Sequence, residues 1–256
     1  MTARLARIFR YPVKSIGGEE LALVKLTAGQ ALPGDRRFAV LHQATLEKLD
    51  GGDLQGARLD RWLPKASFLR GAAAAPLQAI RGGWDGDALV LTHPDRPPLR
   101  QDPAADDAPM LDWLAPLWAA SGKAPPARLV EGTQALSDVR QPWLSVLSLA
   151  SLADLERRLG QPLGTARWRG NLWIDGWEPY AERDMQLHQI RIGEVTLKLT
   201  QRITRCSATS ADTATGRIDI DMPAALQGQF DHSDFGIYAE VETGGTIRPG
   251  DRVEIL

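Results

Sequence analysis

The stretch Gln189-Ile190-Arg191-Ile192-Gly193-Glu194-Val195-Thr196-Leu197-Lys198-Leu199-Thr200 decides the fold. Apolar residues at 190, 192, 195, 197 and 199 alternate with polar ones. That period of two puts one face of a strand on a core and the other in water. Gly193-Glu194 breaks the alternation with a tight turn, so the two halves pair as an antiparallel hairpin. Runs at 171–175, 237–241 and 252–256 read as further strands, punctuated by Gly244-Gly245 and Pro249-Gly250-Asp251.

The same signature returns in the first hundred residues. Residues 5–11 alternate roughly, 21–27 alternate clearly, and 37–41 are a short β-prone run. Residues 79–81 and 88–92 flank Gly82-Gly83-Trp84-Asp85-Gly86-Asp87, and Asp-Gly between apolar runs signals a hairpin. Residues 43–63, with Asp50-Gly51-Gly52-Asp53, read mostly as loop. The proline-rich segment 93–109 reads as a connector into a helix over 109–120. Asp106 or Asp107 would cap that helix, Pro109 suits its first turn, and Pro116 should kink or shorten it. Lys123-Ala124-Pro125-Pro126 is a second break, after which 127–130 form a strand. Residues 148–159 make the best helix: Ser148 caps it, Leu149, Leu152, Leu155 and Leu159 form one stripe, and Gly160 ends it. The pattern predicts a mainly β fold with a few helices, antiparallel and barrel-like, and speaks against a parallel βαβ sheet. It divides into residues 1–100, a helical connector over 101–126, and a second domain over 127–256.

Composition narrows the function. The 256 residues are 43% hydrophobic and 24% charged, with net charge −2 from 30 basic and 32 acidic side chains. There is no excess to hold nucleic acid and no apolar run long enough to span a membrane. Arg4, Arg7 and Arg10, with no acid before Glu19, have the composition of an import peptide, but the segment alternates like a strand and is read as the first one. A single cysteine, Cys206, excludes internal disulfides and Cys-built metal clusters within one chain. A free thiol fits a reducing compartment, so the expected location is the cytoplasm.

Cys206 is also the leading chemical candidate. A lone cysteine is most often a small buried hydrophobe. Here Arg202 and Arg205 would favour the thiolate, and the next six residues carry Ser207, Thr209, Ser210 and Asp212, which a core strand avoids. Asp212 to Gly216 read as a turn, which places the thiol near a loop mouth. A cysteine hydrolase needs a histidine partner, and none of His42, His93, His188 or His232 has a motif around it. Basic residues cluster at three other strand junctions: Lys14, Arg36-Arg37, and Arg167 with Arg169. Each alone reads as a strand end; together they suit an anionic, phosphate-bearing cofactor.

The ordered set of motifs resembles the MOSC family, the molybdenum cofactor sulfurase C-terminal domain, preceded by its N-terminal β-barrel domain. The first half supplies Tyr11-Pro12-Val13-Lys14-Ser15 and Gly34-Asp35-Arg36-Arg37-Phe38. The second supplies Leu136-Ser137-Asp138, Arg167-Trp168-Arg169-Gly170-Asn171, Pro179-Tyr180-Ala181-Glu182, Thr204-Arg205-Cys206 with Thr209, and Phe235-Gly236-Ile237-Tyr238. Within the family the chain resembles the amidoxime-reducing MOSC proteins, which bind molybdenum cofactor (Mo-molybdopterin) and reduce N-hydroxylated compounds. The resemblance implies that Cys206 is both catalytic and the thiolate on molybdenum. It further implies that Lys14, Ser15, Arg36, Ser137, Asp138, Arg169, Asn171, Arg205 and Thr209 bind the pterin or its phosphate. The substrate would be a small N-hydroxylated molecule, and electrons would come from a partner, a flavoprotein reductase or a small haem or iron–sulfur carrier. The alternative is a carrier that moves cofactor or sulfur on Cys206. The sequence departs from the family at Gly170, where a proline is usual, at Ala211, and over 46–65, which replaces an arginine-rich segment.

Overall fold

The computed structural model describes residues 2–49 and 54–256. The hairpin forms as the alternation predicts: Gln189–Ile192 pairs antiparallel with Val195–Thr204, Ile190 facing Leu197. The second strand runs to Thr204 and so delivers Cys206. Among the described residues it belongs to an eight-stranded sheet. In order the strands are Val253–Ile255, Gln189–Ile192, Val195–Thr204, Asp234–Thr243, Leu144–Ser148, Leu172–Asp175, Arg4–Arg10 and Glu19–Glu20. The sheet curls until its margins meet: Leu5 N–H donates to Asp251 O (2.9 Å) and Gly250 N–H to Leu5 O (2.7 Å). Leu5, Ile8, Ile174, Ile190, Leu197 and Ile237 fill its interior, each fully buried.

This sheet is mainly antiparallel, as expected, with one parallel pair among its described strands. Leu144–Ser148 and Leu172–Asp175 run side by side, joined through the helix Leu149–Leu159. That helix is capped as predicted: Ser148 Oγ accepts from Ser151 N–H, and Gly160 ends it at φ 69°. Leu144–Ser148 (LSVLS) was not foreseen, because it is buried at every position and shows no alternation. Nor was the helix Met222–Phe230, started by Asp221 accepting from Ala224 N–H.

In the first half, Phe38–His42 pairs with Pro126–Gly132, and Arg81–Asp85, Ala88–His93 and Arg96–Gln101 form a three-stranded sheet. Three expectations need correction. The segment 93–109 is not all connector: Arg96–Gln101 is a strand, tolerating Pro97 and Pro98 because it lies at a sheet edge. The strand before the hairpin turn runs through Gly82-Gly83 rather than ending at 81. Residues 43–63 hold a helix at Gln43–Leu46 and strands at Leu54–Gln55 and Arg58–Leu59; Asp50-Gly51-Gly52-Asp53 lie outside the described residues. The helix Ala108–Trp118 carries Pro109 in its first turn and keeps Pro116 inside. Of the two capping candidates, Asp106 accepts from Ala108 N–H in the first turn (3.1 Å), while the Asp107 carboxylate accepts from Leu129 N–H instead (2.9 Å).

The halves are interlaced. Arg4–Arg10 is built into the sheet of the second half, and Pro126–Gly132 into that of the first. The turn after Arg4–Arg10 therefore crosses from one half to the other. Among the described residues, no helix is long and apolar enough to cross a membrane.

Candidate functional site

Cys206 lies just past the end of the strand Val195–Thr204. Thr209 holds the turn that follows: its amide (3.1 Å) and its hydroxyl (2.8 Å) both donate to the Cys206 carbonyl. The thiol is exposed. It lines a pocket of about 160 Å3 at the junction of the two halves. A chamber of that size takes one aromatic ring, so a larger ligand extends through its mouth.

The pocket brings together all ten residues expected from the sequence. Five basic and two acidic side chains line it, an excess that favours an anion. Lys14 is buried and donates to Leu136 O (3.0 Å) and Asp138 Oδ1 (2.5 Å). Burial lowers the Lys14 pKa, with Asp138 opposing. Burial raises that of Asp138, but Lys14 outweighs it and holds the carboxyl below its usual range. Ser15, Arg36 and Arg169 all adopt positive φ, at 62°, 48° and 49°. Non-glycine residues rarely take that conformation, and three around one pocket mark a site where geometry outweighs backbone comfort.

Arg36 and Arg169 approach the Tyr11 ring, 4.8 and 4.3 Å from its centroid. Arg36 pairs with Asp35 and donates to Arg169 O (3.0 Å), so two of its five N–H groups are spent. Arg169 donates to Gly17 O (2.6 Å) and Val13 O (3.2 Å), bracing the turn that carries Lys14 and Ser15. Burial, aided by Arg36, lowers Arg169 to about 10. Burial also lowers Arg205 to about 10 and pushes Tyr11 up to about 12. Both guanidinium groups stay charged at neutral pH. Arg205 turns to Phe235 O (2.8 and 2.6 Å) and Trp168 O (2.9 Å), so it gives the pocket charge and tethers its wall.

Asn171 is occupied by its neighbours. Its Oδ1 accepts from the Ser145 amide (3.1 Å) and hydroxyl (2.9 Å), and its Nδ2 donates to Phe9 O (3.2 Å). Ser137 donates to Val139 O (2.6 Å). Arg202 does not serve the thiol as expected; it donates to Arg183 O (2.9 Å) and faces Asp184. None of the four histidines lines the pocket.

Further lining residues fall outside the expected set of ten, although Arg167 stands in the basic cluster beside Arg169 and Tyr238 in one of the family motifs. Arg167 is buried, bidentate to Asp219 (2.8 and 2.7 Å), and donates to Thr209 O (3.1 Å), so it braces the turn after Cys206. Its signal was its place beside Arg169; Asp219 had none. Tyr238 lies beside Trp143, and burial raises its pKa, so the phenol keeps its proton. Gln78 comes from an alanine-rich tract without pattern.

Among the described residues, no three His, Cys, Asp or Glu side chains converge to hold a metal ion. A metal at Cys206 would bring most of its ligands with it. An exposed soft thiol beside a basic pocket fits a metal carried on an anionic organic group.

The sequence matches the MOSC N-terminal beta barrel domain over residues 2–125 and the MOSC domain over 135–254. The chain belongs to the MOSC family. Among curated proteins this MOSC chain is 37% identical over 127 residues to mitochondrial amidoxime-reducing component 1 of Mus musculus, covering 45% of the chain and 36% of that protein. It is 34% identical to the Homo sapiens protein of the same name, covering 45% and 37%. The match thus spans little more than a third of the length of these curated relatives. The YUAD protein from Bacillus subtilis, a solved structure, aligns over 100% of this chain and 96% of its own, at 12% identity and TM-score 0.45.

Proposed function

We propose that this chain binds molybdenum cofactor through Cys206 and reduces N-hydroxylated compounds there, with electrons from a partner protein. The observation that carries the reading is the convergence of an exposed thiol and a buried basic pocket, built from both halves of the chain. The amidoxime-reducing names of the relatives support it.

When bound, the cofactor supplies a two-electron redox centre. The net reaction takes an N–O bond, two electrons and two protons to an N–H bond and water. Cys206 would hold the metal as its thiolate. Thr209, itself held by Arg167, fixes the Cys206 carbonyl and so the direction of the side chain. Lys14 and Arg36 keep unspent N–H donors for a phosphate, and Ser15 adds a hydroxyl, whereas the Ser137 hydroxyl is spent on Val139 O. Arg169 and Asn171 hold the backbone that presents them. Tyr238 keeps a proton at the wall.

The test is to purify the protein from a host that makes the cofactor, count molybdenum per chain, and assay benzamidoxime with an artificial electron donor. Bound molybdenum with turnover, both lost in Cys206→Ser, is the expected result. A Cys206→Ser protein with wild-type turnover refutes it. The exposure of Cys206 keeps a second reading in play, because a thiol at a rim is also open to a protein acceptor. Molybdenum that passes to an apo-enzyme without turnover would select that carrier role.

A further inference from the structure

Gln78 carries more hydrogen-bonding capacity than its protein neighbours use. It sits on the short helix Ala75–Ala79 of the first half and lines the Cys206 pocket. Its residue is 5% exposed. Among the described residues its side-chain amide makes one hydrogen bond, from Nε2 to Ser15 O at 3.5 Å. That is beyond the usual range for N–H···O contacts. A primary amide has two donor hydrogens and an acceptor oxygen, so a single long bond leaves most of this capacity open to the pocket that Gln78 lines. Asn171, in the same pocket, shows what a satisfied amide looks like.

The fold makes room for this side chain. Gly71 is buried, and a Cβ there would stand 1.8 Å from Gln78 Nε2 and 2.5 Å from Cδ. Its backbone lies outside the left-handed region, so the glycine is needed for space alone. The segment is also tied to the cysteine loop, since Ser207 Oγ donates to Ala72 O (3.2 Å). An amide with spare donors and acceptor is thereby held at a pocket wall.

We infer that Gln78 reads the ligand: its amide takes an adjacent donor and acceptor on the edge of a planar heteroaromatic ring. On the reading proposed above, that ring is the pterin of the cofactor. Glutamine forms such paired bonds with an adenine edge, and a pterin offers the same kind of donor–acceptor edge. The division of labour follows from chemistry: charged donors on Lys14 and Arg36 for phosphate, a neutral amide for the ring.

Holo-protein is purified from a cofactor-producing host and dialysed; bound pterin is then released, oxidised and counted by fluorescence, with melting temperature as the folding control. Gln78→Leu and Gly71→Ala are each expected to retain about tenfold less pterin than wild type. The two changes together should lose no more than Gln78→Leu alone, because both act through one amide. Gln78→Glu keeps the shape and removes the donors, so it serves if Gln78→Leu does not fold, with loss again expected. Wild-type retention in the folded Gln78 variants, or fully additive losses with Gly71→Ala, overturns the inference. Wild-type protein without pterin overturns the proposed function and this inference with it. Pterin bound without N-hydroxy reduction would sink only the catalytic part of that function.

Discussion

The guanidinium of Arg169 lies 4.3 Å from the centre of the Tyr11 ring while donating to the carbonyls of Gly17 and Val13. Its charge faces the pocket, but its hydrogen bonds hold the fold. Lys14 differs: it holds one backbone carbonyl, Leu136 O, and its other partner, Asp138, is half exposed and can return to water. The two cations are therefore separable by experiment. Arg169→Ala strands buried carbonyls and is expected to cost about 2–3 kcal/mol of stability, along with cofactor. Lys14→Ala should change stability far less and lose cofactor by about tenfold or more. Urea unfolding beside molybdenum counts checks both; equal stability losses would show that the distinction is wrong.

Asn171 makes a contrasting case. Truncating it to Ala leaves the Ser145 amide and hydroxyl without their acceptor in a buried place. The expected cost is about 1–3 kcal/mol, with cofactor content per folded chain kept. Cofactor lost at unchanged stability would return Asn171 to a direct binding role.

The sequence was most legible where one face of a strand meets the core, as in Gln189–Thr200, and where a helix carries its own punctuation, as at Ser148 and Gly160. It was silent where burial is complete. Leu144–Ser148 is buried on both faces and has no period to read. Arg96–Gln101 was hidden because proline argues against strands in general, and only the tertiary position makes this one an edge. Site residues with charge in a motif could be picked out; their partners could not. Nothing local marks Asp219, Ser145 or Gln78, since their roles arise from contacts 52, 26 and 63 positions away in the chain.

Gly170, where the family usually has proline, is matched to Leu147. A Cβ at 170 would come 2.2 Å from Leu147 Cδ1. Gly170→Ala should therefore overpack and cost about 1–3 kcal/mol. Leu147→Ala opens a cavity and costs about 2–5 kcal/mol. The double variant should be more stable than the sum of the two costs predicts, because each change relieves the other. Thermal or urea unfolding of the four proteins measures that coupling, and strict additivity would remove the steric account.

Glu182 supplies a pH test of the fold. It is 1% exposed and accepts from Ser151 Oγ (2.9 Å). Burial raises its pKa above the ordinary 4.5. The folded state then holds this proton more tightly than the unfolded state, so stability from this group falls as pH rises from 4.5 through the raised value. Carboxylates held below their usual range, such as Glu20 and Asp138, slope the other way. The readout is therefore the difference between wild type and Glu182→Gln across that window. A difference that shrinks with rising pH, as wild type loses stability relative to the variant, is expected if Glu182→Gln starts less stable; a flat difference would mean that Glu182 does not titrate there.

Electron supply gives the last test. Reducing one N–O bond takes two electrons, and the sequence has no dinucleotide-binding fingerprint and only one cysteine. On the proposed function, cofactor-loaded protein with NADH or NADPH alone should be inactive toward benzamidoxime. Adding a flavoprotein reductase, with or without a small haem or iron–sulfur carrier, should bring turnover. Docking of two such proteins is brief and steered by charge, so the rate should fall as salt shortens the Debye length from about 30 Å at 0.01 M to about 10 Å at 0.1 M. An artificial donor of low charge should show little of that dependence, which separates docking from any effect of salt on the pocket. Turnover with NADH alone would reveal a second redox site in this chain. Equal salt dependence with both donors would place the effect at the basic pocket of Lys14 and Arg36 instead of at a docking surface.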